Sequence, residues 1–274
     1  MARKYQTVLV TGASSGMGKD YALRLLKEGM TVYAAARSVD KMADLAEAGA
    51  IVLAMDISKD VDIVAAVERI KTERGGLDVL INNAGFGKYG PVEETPIDAA
   101  RYQFEVNVFG LARLTQLVLP LMRDQGRGLI INVSSMGGQI YTPLGAWYHA
   151  TKHAVEAWSD CLRMEVRPFG IDVVILQPGI IKTGFVDGLE QNFDGDISGP
   201  YGPMIENSNA ATRKADERGT GSPVKVVTDT LLRIIRADKP KTRYAVGATA
   251  RPLMFLHRYL PTRWYDALIL RAIS

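Results

Sequence analysis

Short apolar runs alternate along this chain with longer stretches whose apolar residues recur at helical spacing. The runs Thr7–Val10, Thr31–Ala36, Ile51–Met55, Val79–Asn82, Leu129–Val133, Ile171–Gln177 and Arg243–Val246 read as strands, and most are continuously apolar. That is the pattern of strands covered on both faces. Between them, Met17–Glu28, Asp40–Ala48, Asp60–Arg74, Asp98–Arg123, Ala146–Arg167 and Pro223–Ala237 carry helical periodicity, several with Gly29, Gly49, Gly75 or Gly170 just beyond. Regular alternation of strand and helix predicts an α/β fold. The sheet should be doubly wound, mostly parallel and seven-stranded, flanked by helices in a Rossmann-like manner. Its first strand should lie near the middle, with a ligand crevice at the strands' carboxyl ends. Residues 184–222 break the rhythm, being rich in Gly, Pro, Asn and Asp, and are expected to form a substrate loop or lid. One domain spanning residues 1–274 is expected, with residues 250–274 as a C-terminal cap or interface segment.

Composition removes several function classes. A chain that is 47% hydrophobic and 23% charged is a packed globular protein rather than a disordered one. The lone Cys161 excludes an internal disulfide framework and a multi-cysteine zinc site, and no metal site is expected. A net charge of +3 with scattered basic residues gives no footprint for nucleic acid. The longest stretch without Asp, Glu, Lys or Arg, Gly128–Thr151, holds Asn132, Ser134, Ser135, Gln139 and Pro143 and is no membrane span. The first residues lead directly into a short apolar run broken by Gly12, too short for a signal peptide, so a cytoplasmic protein is expected.

Two patterns carry candidate chemistry. Gly12, Gly16 and Gly18 follow the first predicted strand in the spacing G-x3-G-x-G and open a helix. Such a loop lets backbone amides and a helix N-terminus approach a pyrophosphate, although by itself it could equally be a glycine-rich turn. Tyr148 and Lys152 stand one helical turn apart, where an ammonium can sit near a phenol. Thirteen residues before Tyr148, at the end of the fifth predicted strand, is Ser135. Strand tip and following helix could therefore converge in the crevice.

With these residues the chain resembles the short-chain dehydrogenases/reductases, in their single-domain branch. The glycine motif falls on Gly12, Gly16 and Gly18, and Asn82-Asn83-Ala84-Gly85 stands intact. The family's catalytic set falls on Ser135, Tyr148 and Lys152, with Asn107 as fourth member. The resemblance implies a nicotinamide cofactor held by Gly12, Ser14, Ser15, Gly16, Met17, Gly18, Arg37, Asp56, Ile57, Asn83, Ala84 and Gly85. It adds Tyr148 and Lys152, then Pro178, Gly179, Ile181 and Thr183, whose stretch resembles the one that holds the nicotinamide carboxamide. In this reading Tyr148 protonates a carbonyl oxygen, Lys152 favours the phenolate and binds the ribose, and Ser135 polarises the carbonyl. Asn107 would hold a water that links Lys152 to solvent. Ser134 is read as structural, and His149 and His153 as turned away from the face of Tyr148.

Cofactor choice should be read after the second strand, where an acid would bind a ribose and a base a 2′-phosphate. Ala36 is followed by Arg37, which favours NADP(H); NAD(H) stays open if Arg37 merely stacks on adenine. On the substrate side, Met136, Ile140, Tyr141, Trp147 and Phe185 suggest an apolar pocket for a lipophilic ketone, aldehyde or secondary alcohol, and the resemblance to hydroxysteroid, retinol and acyl-ketone reductases implies a substrate of steroid, retinoid or acyl-ketone type. The rival reading is a non-catalytic NADP(H) sensor or scaffold on the same fold. A homodimer or homotetramer through the helices of residues 98–123 and 146–167 is implied by resemblance.

The tail stands apart. From Lys241 onward six basic residues face one acid, Asp266, so this segment carries +5 while the rest sums to −2. With Phe255, Leu260, Trp264, Tyr265 and Leu268 it could cap the pocket, meet a second subunit or lie on a membrane surface. Pro252 and Pro261 cut it into pieces that are short for interfacial helices, which favours the cap or interface.

Overall fold

Every predicted apolar run forms a strand. In chain order these are β1 (Thr7–Thr11), β2 (Thr31–Ala36), β3 (Ile51–Ala54), β4 (Val79–Asn82), β5 (Gly128–Val133) and β6 (Ile171–Pro178). They are followed by the two-residue strands β7 (Ile181–Lys182) and β8 (Ser222–Pro223), then by β9 (Arg243–Val246). The computed structural model describes residues 5–183 and 193–273. In it seven strands make one parallel sheet in the order β3-β2-β1-β4-β5-β6-β9, while β7 and β8 pair separately. The strand order reverses at β1, so the crevice opens between the carboxyl ends of β1 and β4.

Alternation along each strand feeds two cores. Val8 and Val10 point to one side, where they meet Tyr21 and Leu25 of α1 (Gly16–Lys27) and Leu231 of the later helix Val224–Arg236. Leu9 points to the other, among Ile63 and Ile70 of α3 (Asp60–Arg74) and Leu114 and Val118 of α5 (Gly110–Asp124). Full burial of each such side chain stabilises the fold by about 1.5–3 kcal/mol. Inside the sheet, Asn82 donates to Thr115 at 3.0 Å and Asn132 at 2.9 Å, and Asn132 donates to Ser159 at 2.8 Å. These bonds fix the ends of β4 and β5, from which two site loops depart.

Several helices differ from the pattern. Asp40–Ala48 is a tight turn, Val39–Met42, followed by the short α2 (Ala43–Glu47). The long helix predicted over Asp98–Arg123 consists of α4 (Ile97–Phe104), a π-helical turn over Glu105–Phe109 and α5. The extra residue per turn presents Asn107 to the loop after β4, and such turns gather at functional sites. α6 (Ala146–Val166) forms as expected. The region read as a loop over residues 184–222 contains α7 (Gly202–Glu217), which its Gly, Pro and Asn content had hidden. Ile205 of α7 is wholly buried, so tertiary packing supplies what local preference lacks. α8 (Val224–Arg236) is followed by α9 (Ala250–Tyr259) and α10 (Thr262–Ala272). Pro252 is accepted in the first turn of α9, and Pro261 separates the two helices.

Candidate active site

The loop after β1 leaves no room for side chains at two positions. Gly12 has φ +66°, and a Cβ there would lie 2.9 Å from the Ala84 Cα; a Cβ on Gly18 would lie 2.3 Å from the Gly12 carbonyl oxygen. The start of α1 is thereby pressed onto the loop after β4. Thr11 ties the two together: its hydroxyl accepts from the Asn83 amide at 3.0 Å and the Ala84 amide at 2.9 Å, and donates to Ile81. The Asn83 side chain returns a bond to the Thr11 carbonyl at 2.9 Å. No side chain caps the N-terminus of α1, so its first amides remain available as donors beside the cleft.

A cavity of about 480 Å³ runs along this seam. It is lined by Gly12, Ser14, Ser15, Gly16, Met17 and Gly18, by Arg37, Asp56 and Ile57, and by Asn83, Ala84, Gly85 and Thr183. All of these were expected to hold a cofactor. Ser38, Phe86, Tyr102 and Val106 also line it and had not been foreseen. Tyr102 of α4 tilts against Phe86 with ring centroids 5.6 Å apart, and its hydroxyl receives a 2.9 Å hydrogen bond from Arg37. No spacing in the sequence links Tyr102 to Arg37, because only the packing of α4 across the sheet joins them. Burial opposes ionisation of Asp56, yet the Ser58 amide and hydroxyl, with the Arg37 charge, hold its carboxyl below the usual range.

The cavity meets the Ser–Tyr–Lys set at Gly85. A Cβ on Gly85 would stand 3.0 Å from Asn107 Oδ1 and 3.6 Å from Lys152 Nζ. Asn107 is buried, donates to the Phe86 carbonyl at 2.9 Å and Thr151 at 3.0 Å, and accepts from the Phe86 amide at 3.0 Å. Ser135 ends the segment after β5, accepts from the Gly137 amide at 3.0 Å and is hydrogen-bonded to the Tyr148 phenol. Lys152 Nζ donates to the Val133 carbonyl at 3.0 Å and lies 6.0 Å from the centroid of the Tyr148 ring. Ser135, Tyr148, Lys152 and Asn107 are thus brought together from β5, α6 and the π turn.

Burial dominates the electrostatics of the Tyr148–Lys152 pair. The phenol of Tyr148 is raised above its ordinary range because burial outweighs the Ser135 hydrogen bond. Lys152 is itself desolvated: burial lowers its ammonium to about 8, against the opposing pull of Glu156 one turn further along α6. Glu156 is a buried carboxylate held by Gln139, Gln177 and Arg243, at 3.1, 3.0 and 3.0 Å. His149 is buried and depressed, mainly by desolvation. Its Nε2 stands 3.1 Å from the Thr142 amide and its Nδ1 2.9 Å from the Gly137 carbonyl, so it pins the loop that precedes α6.

Other expected residues lie away from the cavity. Pro178, Gly179 and Ile181 are absent from its lining; the Gly179 amide bonds to Val246 at 2.8 Å and Ile181 pairs with Ser222. Met136 Sδ lies 3.8 Å from the Thr249 hydroxyl. Ile140 is 1% exposed, and Trp147 packs edge-on against Phe104 with its indole N–H buried. Phe185 lies outside the described residues. Tyr141 donates to Asp266 at 2.9 Å, and Tyr265 of α10 donates to the Tyr141 carbonyl at 3.1 Å. The rings of Tyr141, Tyr265 and His257 of α9 meet edge-to-face. The tail therefore packs on the loop between Ser135 and Tyr148.

A doubly wound sheet with a glycine-lined cleft at its switch point, ending at a Ser–Tyr–Lys cluster, defines a dehydrogenase-like oxidoreductase class. The family described as short chain dehydrogenase matches residues 6–193. The chain belongs to the short-chain dehydrogenase/reductase family, oxidoreductases of CH–OH and carbonyl groups. It is 37% identical over 266 residues to the uncharacterized oxidoreductase YbbO of Escherichia coli K12, covering 96% of this chain and 94% of that one. It is 32% identical over 275 residues to the NADPH-dependent 3-dehydrocapnine reductase of Ornithobacterium rhinotracheale, covering 97% and 96%. A solved short-chain dehydrogenase from Streptomyces avermitilis superposes with a TM-score of 0.83 at 31% identity, covering 99% of this chain and 97% of that one. Among the described residues no helix is long and apolar enough to cross a membrane, and no cluster of His, Cys, Asp or Glu could hold a metal ion.

Proposed function

We propose that this protein is an NADP(H)-dependent reductase of apolar ketones or aldehydes, or the corresponding alcohol dehydrogenase. The carrying observation is the hydrogen-bonded Ser135–Tyr148 pair with Lys152 behind it, set where the glycine-lined cleft ends at Gly85. The cleft fits a nicotinamide dinucleotide: uncapped amides and Gly12, Gly16 and Gly18 suit a pyrophosphate, and Asp56 and Ile57 flank the place for adenine. Arg37 supports a 2′-phosphate, since its charge faces the cleft with no acid at Ala36 to bind a bare ribose. The O. rhinotracheale relative, named as an NADPH-dependent 3-dehydrocapnine reductase, supports the cofactor and the reductive direction of the reading.

The bound nicotinamide supplies or accepts a hydride, and the proton is handled by this chain. As negative charge grows on the carbonyl oxygen, the Tyr148 phenol donates to it, and the Ser135 hydroxyl holds and polarises that oxygen. The raised pKa keeps Tyr148 protonated and ready to donate in the direction of reduction. Lys152, positive below about 8, stabilises the phenolate left behind and holds the ribose. Asn107 fixes the Phe86 backbone beside Lys152 and can order water there. The apolar or aromatic character of Met136, Ile140, Tyr141, Trp147 and Phe185 along the chain favours a lipophilic substrate. A cytoplasmic homo-oligomer fits this reading, and the exposed Phe109 of the π turn and Met164 of α6 lie on the helices that would pair.

The test is Tyr148→Phe, with turnover followed by NADPH absorbance over a carbonyl panel and cofactor binding by NADPH fluorescence. Binding should persist while kcat falls by roughly 10²–10⁴-fold. Binding without turnover of any carbonyl by the unaltered protein would favour a sensor instead.

A further inference from the structure

We propose that the outward faces of α9 and α10 seat this protein on an anionic phospholipid surface. The inner side of this helix pair is committed to the domain: Ala250 and Tyr265 are fully buried, and Asp266, the one acid after Lys241, accepts from Tyr141. The outer side is of the opposite character. Phe255, Tyr259 and Trp264 are 63%, 66% and 71% exposed, and Leu268 is exposed one turn after Trp264. Phe255 and Tyr259 sit one turn apart with ring centroids 4.7 Å from each other, and the Arg258 guanidinium lies 5.8 Å from the Tyr259 ring. Arg251, Arg258, Arg263 and Arg271 are all exposed, and among the described residues none is in a salt bridge.

Charge selects the occupant. A second copy meeting this face across a two-fold axis would set arginine against arginine, with no carboxylate in the patch to answer them. A bilayer of anionic lipid offers phosphate for the arginines and a boundary layer suited to Trp, Tyr and Phe, whose rings are apolar with polar edges. The shortness of each helix is no obstacle here, because the packed inner face and the Tyr265–Tyr141 bond already hold the helices in the folded domain. Neither helix is long or apolar enough to span, so the contact is lateral. Seated this way, the loop between Ser135 and Tyr148 lies directly behind the lipid-facing helices, an entry side suited to a ligand that partitions into membranes. The proposal rests on the surface alone and does not depend on the reaction or cofactor assigned above.

The experiment is flotation of the full-length protein with vesicles of phosphatidylcholine, with and without phosphatidylglycerol, at low and high salt. The protein should float with the anionic vesicles at low salt and be released as salt rises. Replacing all four arginines by Gln should remove the preference for phosphatidylglycerol, each arginine accounting for roughly fivefold in partitioning. A Phe255→Ser/Trp264→Ser variant should float at least tenfold more weakly while keeping its melting temperature and NADPH fluorescence, since both side chains are exposed. Absence of flotation with anionic vesicles, or flotation indifferent to both variants, overturns the proposal. So does a drop in oligomeric mass caused by the Ser variant, which would make this face a contact between subunits.

Discussion

Lys152 is placed where its charge costs the fold stability, and the magnitude follows from its surroundings. Burial brings its pKa from 10.5 to about 8, so at pH 7 the folded protein still carries the ammonium, but at a desolvation cost that the unfolded chain does not bear. At about 1.36 kcal/mol per pKa unit, that shift corresponds to roughly 3 kcal/mol of stability forgone. Because the folded-state pKa lies below the unfolded one, the unfolded chain binds more protons between pH 8 and 10.5. Stability from this group therefore rises with pH across that window and is lowest below it. Between pH 7 and 9.5 the penalty should shrink by about 2 kcal/mol. A Lys152→Met variant removes the charge but leaves the Val133 carbonyl without its donor, a loss of about 1–3 kcal/mol. At pH 7 the variant should thus be as stable as the unaltered protein or more so, although inactive. Urea unfolding of both proteins from pH 6.5 to 9.5 gives the difference directly. The stability gap should move towards the unaltered protein by about 2 kcal/mol as pH rises. A gap that stays constant over this range would show that Lys152 is not desolvated as described, and would remove the basis for its role beside Tyr148.

Other expectations test separate parts of the site. Arg37→Asp should lower kcat/KM with NADPH by roughly tenfold to a hundredfold, the range for one lost charge-assisted bond, while the value with NADH holds or rises. Parallel assays with both cofactors decide it, and an NADH preference in the unaltered protein would contradict the reading. Gly18→Ala sets a Cβ 2.3 Å from the Gly12 oxygen, so it should destabilise by about 1–3 kcal/mol and weaken NADPH binding. Gly16→Ala meets nothing nearer than 3.8 Å and should show only the smaller strain of its φ of +54°. Melting temperatures and NADPH titrations of the two variants separate crowding from backbone strain.

Much of this architecture is legible in the chain because its information is local. A strand buried on both faces carries a continuous apolar run, so Val79–Ile81 and Val173–Leu176 announce themselves, and alternation with helical stretches leads to a parallel sheet. The residues from Gly12 to Gly18 and those from Asn83 to Gly85 are read from their order, and packing brings both groups to one cleft. What stayed hidden depends on contacts between distant segments. Tyr102 reaches Arg37 only because α4 crosses the cleft, and α7 is helical because the domain buries Ile205, not because its Gly, Pro and Asn favour a helix. The charge balance at Tyr148 also belongs to tertiary structure. The i, i+4 spacing brings Lys152 within reach, but how far each group is desolvated is set by everything packed around α6, and burial there outweighs proximity. The tail divides in the same way: its apolar and basic residues are plain in the sequence, but only packing decides that Tyr265 faces inward to Tyr141 while Trp264 faces out. Adjacent residues on a helix point some 100° apart, and the domain beneath chooses which of them it covers.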